Sequence, residues 1–227
     1  DPIHRYIQIT VPQNRGEITE KEIIDSPWVQ RLRYIYQLQS TRWVYPAAEH
    51  SRFQHSLGAM HLAGKFAQPL YPSLRRVVGS DCPSPALIEE YLRITGLLHD
   101  VGHGPFGHFF DDNFLADFKI THEDVGQKII RDELGNQIRE IRRSPSGPFE
   151  PGERLDPDDI AFPIKKNGGR DGGGKQSWVK LLQPLTSGIF TYDNLDYVSR
   201  DSYMCGVAVG PIDRERLIHY TFFSPQG

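Results

Sequence analysis

Residues 97–112, LLHDVGHGPFGHFFDD, set His99 beside Asp100 at the end of an apolar stretch and follow them with His103, His108, Asp111 and Asp112. An imidazole nitrogen next to a carboxylate oxygen is a mixed donor set that suits a first-row divalent metal used for hydrolysis. Few structural reasons would gather so many such groups around a Gly-Pro break. Two groups cannot complete a coordination shell, so further ligands must come from elsewhere. His55 follows Arg52 by three residues, and Asp193, Asp196, Tyr197, Arg200 and Asp201 fall at i, i+3, i+4, i+7 and i+8. That spacing aligns three carboxylates, a phenol and a guanidinium on one helical face. In isolation such a face is usually solvated. Here Leu195, Val198 and Met204 cover the opposite side, which leaves the polar face free to line a cleft.

The elements that must position these groups read as helices. Thr19-x-x-Glu22 is a capping-box pattern, and Ser26-Pro27 is an N-cap with proline at the first helical position before WVQRLRYIYQL. Ser51-x-x-Gln54 opens RFQHSLGAMHLAGKFA, where Phe53, Leu57 and Met60 recur at helical spacing. Ser84-Pro85 opens a helix that runs to Asp100, and Thr121-x-x-Asp124 opens one that Gly135 is placed to end. Asp156-Pro157 starts a short helix through Phe162, and Gly206 closes YDNLDYVSRDSYMC. Strand signals are few: YIQITV near the start and HYTFF near the end, each able to join a small hairpin. The reading is one mainly α domain over 1–227 with no internal repeat. Pro, Gly and charge make 142–157 a flexible segment, and the glycines of 167–176 do the same there. The second segment lacks the GKS or GKT ending of a phosphate-binding P-loop, which favours a plain connection.

Composition sets outer bounds. The chain has 227 residues, 38% hydrophobic and 24% charged, the profile of an ordinary globular domain with a sizeable core. A net charge of −3 and a pI near 6.3 argue against a dedicated nucleic-acid binder. Cys82 and Cys205 form no CxxC and no disulfide framework, which fits a reducing, cytoplasmic compartment. No apolar run approaches the roughly 18 residues needed to span a bilayer. The chain opens on Asp1 without a methionine and stops at Gly227 just after HYTFF, so the expectation is a fragment of a longer protein.

The series His55…His99-Asp100…Asp193 resembles the H…HD…D signature of the HD-domain metal-dependent phosphohydrolases. DPIH at 1–4, SPWVQRLRYIYQL at 26–38, SRFQHSLG at 51–58, HDVGHGPFGHFFD at 99–111 and D-x-x-D-Y-x-x-R-D at 193–201 resemble its deoxynucleoside triphosphate triphosphohydrolase branch. The resemblance covers most of the chain except 137–187, and these five ordered blocks carry it. The resemblance implies a mainly α HD-domain fold with at most a small β-hairpin. It implies His55, His99, Asp100 and Asp193 as ligands of one divalent ion, of iron, manganese, zinc or magnesium. His108 and His122 match active-site histidines, with His108 nearest the scissile phosphate, Asp111 orienting His122 and Glu123 close by. Arg52 matches a phosphate-binding arginine, Gln37 and Asp201 residues at the sugar 3′-hydroxyl, and Tyr197 the ring against which the sugar packs; for Tyr197 core packing is an equal alternative. Asp25, Gln30 and Arg33 match positions that bind an activating guanine nucleotide in some relatives, or else cap and decorate a helix.

His103 reads as a supporting or structural residue, and His4, His50, His61 and His219 as structural or surface histidines. Asn194 departs from the pattern, because the family often has a phosphate-binding lysine there. Lys165, Lys166, Arg170 or Lys175 could restore the charge. The expected activity is cleavage of deoxynucleoside triphosphates to deoxynucleoside and triphosphate, with homo-oligomers when full length. The rivals are an HD-domain nucleotidase or phosphodiesterase and a nucleotide sensor without turnover.

Overall fold

Two long helices organise the structure, and local signals explain where each begins. In the computed structural model, which describes residues 1–165, 174–210 and 212–224, the element order opens with α1 (Glu20–Ile24), α2 (Pro27–Gln30), α3 (Arg52–Val78) and α4 (Pro85–Leu98). It continues with α5 (His108–Asn113), α6 (His122–Lys128), α7 (Gly135–Glu140), a hairpin of β1 (Arg143–Ser144) and β2 (Gly147–Pro148), and α8 (Pro157–Ala161). The last helices are α9 (Ser177–Leu182), α10 (Pro184–Ser187), α11 (Tyr192–Cys205) and α12 (Arg214–His219). At α3 the Ser51 amide donates to Gln54 Oε1 at 2.9 Å, and at α4 the Ser84 hydroxyl accepts from the Leu87 amide at 3.2 Å with Pro85 at the first position. Both starts follow the predicted caps.

α3 runs for 27 residues, roughly 40 Å, well past the stretch its apolar spacing marked out. Pro69 and Pro72 remove two backbone donors, but Leu70 and Leu74 continue the buried stripe and hold the helix on course. α4 lies along α3, and its Ile88, Leu92, Ile94, Leu97 and Leu98 join Ala59, Met60, Ala63 and Phe66 of α3 in the core. α11 crosses the same helix near Gly58. These three helices meet at one end, and the chemistry is there.

Three local expectations need correction. YIQITV and HYTFF form no strand, and the hairpin lies instead at 143–148. Ile7 and Ile9 pack on the core, and the Thr10 amide donates to Glu20 Oε2 at 2.7 Å, so side chains rather than a partner strand satisfy that stretch. The helix begun at Ser26 does not continue through Leu38. After a 3-10 turn at Arg31–Tyr34 the chain extends, because Ile35 O accepts from the Arg52 amide at 2.8 Å and the Gln37 amide donates to His50 O at 3.1 Å. Gly135 begins α7 instead of ending α6: a π turn over Ile129–Glu133 re-phases the chain so that Ile129, Ile130 and Leu134 all stay buried.

Segment 142–157 carries the hairpin, tied down where the Arg143 Nε donates to Glu17 at 2.6 Å and the Ser84 amide donates to Glu153 at 2.6 Å. Of the glycine-rich segment 167–176, residues 167–173 lie outside the described residues. Among the described residues no helix is long and apolar enough to cross a membrane.

Candidate active site

Three helices deliver the predicted ligands. His55 comes from the first turn of α3, His99 and Asp100 from the C-terminal end of α4, and Asp193 from the first turn of α11. The His55 and His99 Nε2 atoms stand 3.2 Å apart, and Asp193 Oδ1 lies 3.0 Å from the first and 3.5 Å from the second. Asp100 Oδ1 is 3.5 Å from His99 Nε2, and its Oδ2 is 3.9 Å from His55 Nε2. Ligand atoms about 2.1 Å from one ion and at right angles to each other stand roughly 3 Å apart. The spacing of His55, His99 and Asp100 therefore fits a single small dication, with Asp193 within 3.5 Å of both imidazoles.

The hydrogen bonds sharpen this fit. His55 Nδ1 donates to Asp196 Oδ2 at 2.8 Å, and His99 Nδ1 donates to Gly96 O at 2.8 Å. With both Nδ1 atoms committed as donors, both Nε2 lone pairs face the same point, an arrangement that calls for a positive charge between them. Burial opposes charge on His55, but hydrogen bonds to Asp193 and Asp196 outweigh it and push the imidazole up to about 10. On His99 burial is likewise outweighed, first by Asp100 and then by Asp193. Burial also works to raise Asp193, yet the two imidazoles hold it well below the usual carboxylate range. A proton on one nitrogen satisfies part of this set; a divalent ion satisfies all of it.

The loop after α4 is aimed by a residue that sequence reading passed over. Arg31 sends its guanidinium to the carbonyl oxygens of Val101 and, at 2.7 Å, His103. His103 is buried with Nε2 3.5 Å from Asp100, and burial pushes it down to about 4, so it stays neutral. Its ring stacks on His122 with centroids 3.7 Å apart and planes within 14°. His122 Nδ1 donates to Asp111 Oδ2 at 2.5 Å, and His108 Nδ1 lies 3.4 Å from the same oxygen. His103, His108, Asp111 and His122 also offer clustered ligand atoms. An ion held by both stacked rings would sit about half their separation out of each ring plane, where imidazole lone pairs do not point, so the group is better suited to handling protons. Phe106 and Gly107, with φ of +64° and +54°, turn the backbone sharply just before His108.

Both groups open onto one cavity of about 450 Å³, a size suited to a small ligand. The sequence candidates Gln37, Arg52, Glu123, Asn194, Tyr197 and Asp201 all line it, together with Gln39, which was not singled out. Arg52 is buried and paired with Asp100. His50, read as a structural or surface histidine, is buried and donates from Nε2 to Asp201 at 2.7 Å. The Asn194 amide donates to the Tyr197 hydroxyl at 2.8 Å and accepts from Thr191.

The remaining candidates are not brought to this cavity. Asp25 pairs with Lys21, Gln30 Nε2 donates to Ile24 O at 2.9 Å, and Arg33 donates to Gln30 at 2.7 Å while lying over the Phe53 ring. Lys165 pairs with Asp124, and Lys175 with Asp159 at 2.7 Å. Lys166 and Arg170 lie outside the described residues. A larger cleft of about 910 Å³ opens beside His61, Lys65 and Arg93, but among the described residues no metal-ligating group converges on it.

Residues 52–162 match the HD domain. The chain is 30% identical to the deoxynucleoside triphosphate triphosphohydrolase SAMHD1 homolog of Dictyostelium discoideum, over 88% of this chain and 36% of that protein. A hypothetical protein from Aquifex aeolicus superposes with a TM-score of 0.70 at 28% identity, over 98% of this chain and 50% of that one. A phosphohydrolase from Bacteroides thetaiotaomicron superposes with a TM-score of 0.65 at 28% identity, over 95% and 45%. The chain thus spans about a third to a half of the length of these relatives.

Proposed function

The chain carries an HD domain at residues 52–162, and from that premise we propose that it is a phosphohydrolase that cleaves deoxynucleoside triphosphates to deoxynucleoside and inorganic triphosphate. The observation that carries this reading is the cluster of His55, His99 and Asp100, with Asp193 against both imidazoles, beside the cavity that His122 also lines with Asp111 behind it. When bound to the four ligands, a divalent ion supplies Lewis acidity at the phosphoryl group and lowers the pKa of water. The mixed nitrogen and oxygen donors do not choose among iron, manganese, zinc and magnesium.

The side chains do the rest. Water attacks the α-phosphorus, the bond to the 5′ oxygen breaks, and His108 gives that oxygen its proton. His122, oriented through Nδ1 by Asp111, supports His108 and keeps Nε2 free for proton exchange. Arg52 turns a guanidinium toward phosphate once it is shared with Asp100. Tyr197 packs on the sugar, and Gln37 and Asp201 hold its 3′-hydroxyl. Gln37 Oε1 is buried without a partner, as an acceptor awaiting a hydroxyl would be. An activating guanine nucleotide would meet Asp25, Gln30 and Arg33 at a second location.

One observation favours a second reading. Arg52 is the one arginine or lysine among the described residues that line the cavity, against Asp100, Glu123, Asp193 and Asp201. So little positive charge suits a substrate with fewer phosphates, and hence an HD-domain nucleotidase or phosphodiesterase. Product analysis separates the two. Metal-loaded protein is offered the four dNTPs, the matching rNTPs and dNMPs, and inorganic triphosphate with free deoxynucleoside is the expected product. Orthophosphate from monophosphates with triphosphates untouched would replace the first reading by the second. Binding without turnover would leave a sensor.

A further inference from the structure

The ligand His55 is held from behind by a carboxylate with an unusual set of partners. Asp196 is fully buried, one helical turn along α11 from Asp193, so a single helix supplies both a candidate ligand and the group that orients another. Its Oδ2 accepts from His55 Nδ1 at 2.8 Å and from Arg200 Nε at 2.8 Å. Its Oδ1 accepts from Arg200 Nη2 at 2.8 Å and from His4 Nε2 at 2.6 Å. A carboxylate removed from water is costly unless its charge and lone pairs are met, and here four donors meet them.

Three of those donors, from His4 and Arg200, depend on the first residues of the chain. His4 lies in the segment 1–6, whose turn is fixed where Asp1 Oδ1 accepts the amides of Ile3 at 2.9 Å and His4 at 3.0 Å. Asp1 also binds the far side of Arg200, with Oδ2 2.8 Å from Nη1. Asp1, Arg200, Asp196, His4 and His55 therefore form one connected chain of charge-assisted hydrogen bonds. Space for it comes from Gly58, three residues past His55 in α3: a Cβ there would stand 1.9 Å from Asp196 Oδ1 and 2.4 Å from Arg200 Nη2. The absence of a side chain at Gly58 lets the Asp196–Arg200 pair press against α3 behind His55.

We infer that Asp196 is a positioning residue that fixes the tautomer and basicity of His55 for metal binding, and that the N-terminal segment, through His4, Asp1 and Arg200, is the strap that holds Asp196 in place. The inference rests on the proposed reading of His55 as a ligand. A hydrogen bond from Nδ1 to a carboxylate leaves the Nε2 lone pair aimed at the ion and makes it a stronger donor. The DPIH block at the start of the sequence and the D-x-x-x-R spacing within α11 are thus two ends of one device.

The test is the dissociation constant for Mn²⁺ alone, read by competition with a chelating dye, alongside the melting temperature of each metal-free variant. Asp196→Asn keeps the shape but loses the charge, and is expected to weaken Mn²⁺ binding by about 10- to 100-fold. His4→Gln and Arg200→Lys should each weaken it by roughly threefold or more, and Asp159→Asn, at a distant ion pair, should leave it unchanged. Ring-nitrogen NMR of the metal-free protein should show the His55 Nδ1 proton slow to exchange with water in the parent chain and fast to exchange in Asp196→Asn. Wild-type affinity in Asp196→Asn overturns the inference and leaves the proposed function standing. Should Asp196→Asn fail to fold, His4→Gln decides, with unchanged affinity overturning the strap. Mn²⁺ binding that ignores His99→Ala would instead remove the metal reading itself.

Discussion

The cavity has two halves built on different principles. The metal-ligand half stands on the ends of three helices of 27, 14 and 14 residues, with His55 fully buried and the Nδ1 of each imidazole already committed. The histidine half stands on α5 and α6, of six and seven residues, and the His108 side chain is 66% exposed. A group that must hold an ion in one geometry gains from a rigid, satisfied surround. A group that must meet a moving proton on a substrate gains from accessibility, and a short exposed helix costs little to shift. The difference assigns separate duties to two sets of histidines that look alike in the sequence.

On that assignment, the largest effect comes from the ligand half. His99→Ala with Asp100→Ala should remove bound metal and lower hydrolysis on the order of 10⁴-fold or more, measured as metal per chain and as product formed. Full activity without metal would end the distinction between the halves. Asp111→Asn touches only the other half: it should lower kcat by about 10²-fold and leave Mn²⁺ affinity unchanged, because the orientation of His122 is lost and no ligand is. A matched fall in metal affinity would show that the halves act as one.

The smallest effect extends the comparison to a third buried cluster between the same long helices. Arg93 binds Glu20 at 2.5 Å, while the neighbouring Glu90 is fully buried with neither carboxylate oxygen partnered. Burial, and then the charge of Glu20, raise Glu90 well above 4.5, with Glu89 adding to this and Arg93 and Arg143 opposing it. The folded chain therefore keeps a proton that the unfolded chain releases, and stability falls as pH rises above the unfolded value until the raised folded value is passed. Glu90→Gln lacks this loss. Its stability relative to the parent chain should rise as pH climbs above the unfolded value, by at most about 1.4 kcal/mol per unit, in urea melts. Parallel pH profiles would show that Glu90 carries its charge after all.

Much of this was legible in the sequence because it is local. Caps at Thr19, Ser26, Ser51, Ser84 and Thr121 and the closing Gly206 depend on residues within a turn, and each marks a helix end in the structure. Of the cavity residues, His99, Asp100, His103, His108 and Asp193 stood out because imidazoles and carboxylates at those spacings have few other uses, whereas Gln37, Arg52, His122, Glu123 and Tyr197 came from the resemblance of their sequence blocks to the HD-domain phosphohydrolases. What escaped depends on distant partners. The extended stretch at 35–37 exists to pair with 50–52, and YIQITV finds a carboxylate where a strand was expected. His4 and His50 read as ordinary histidines because their acceptors, Asp196 and Asp201, lie 192 and 151 residues away. Two signals were available: Asp196 and Arg200 share a face with Asp193, and His4 belongs to the DPIH block.

The most direct test of the two-half account is bound metal and single-turnover rate measured on one preparation of His108→Ala/His122→Ala. The account predicts the same metal per chain and the same Mn²⁺ affinity as the parent, with hydrolysis of a deoxynucleoside triphosphate slowed by about 10³-fold or more. Loss of the metal together with the rate, or turnover that survives both substitutions, would contradict it.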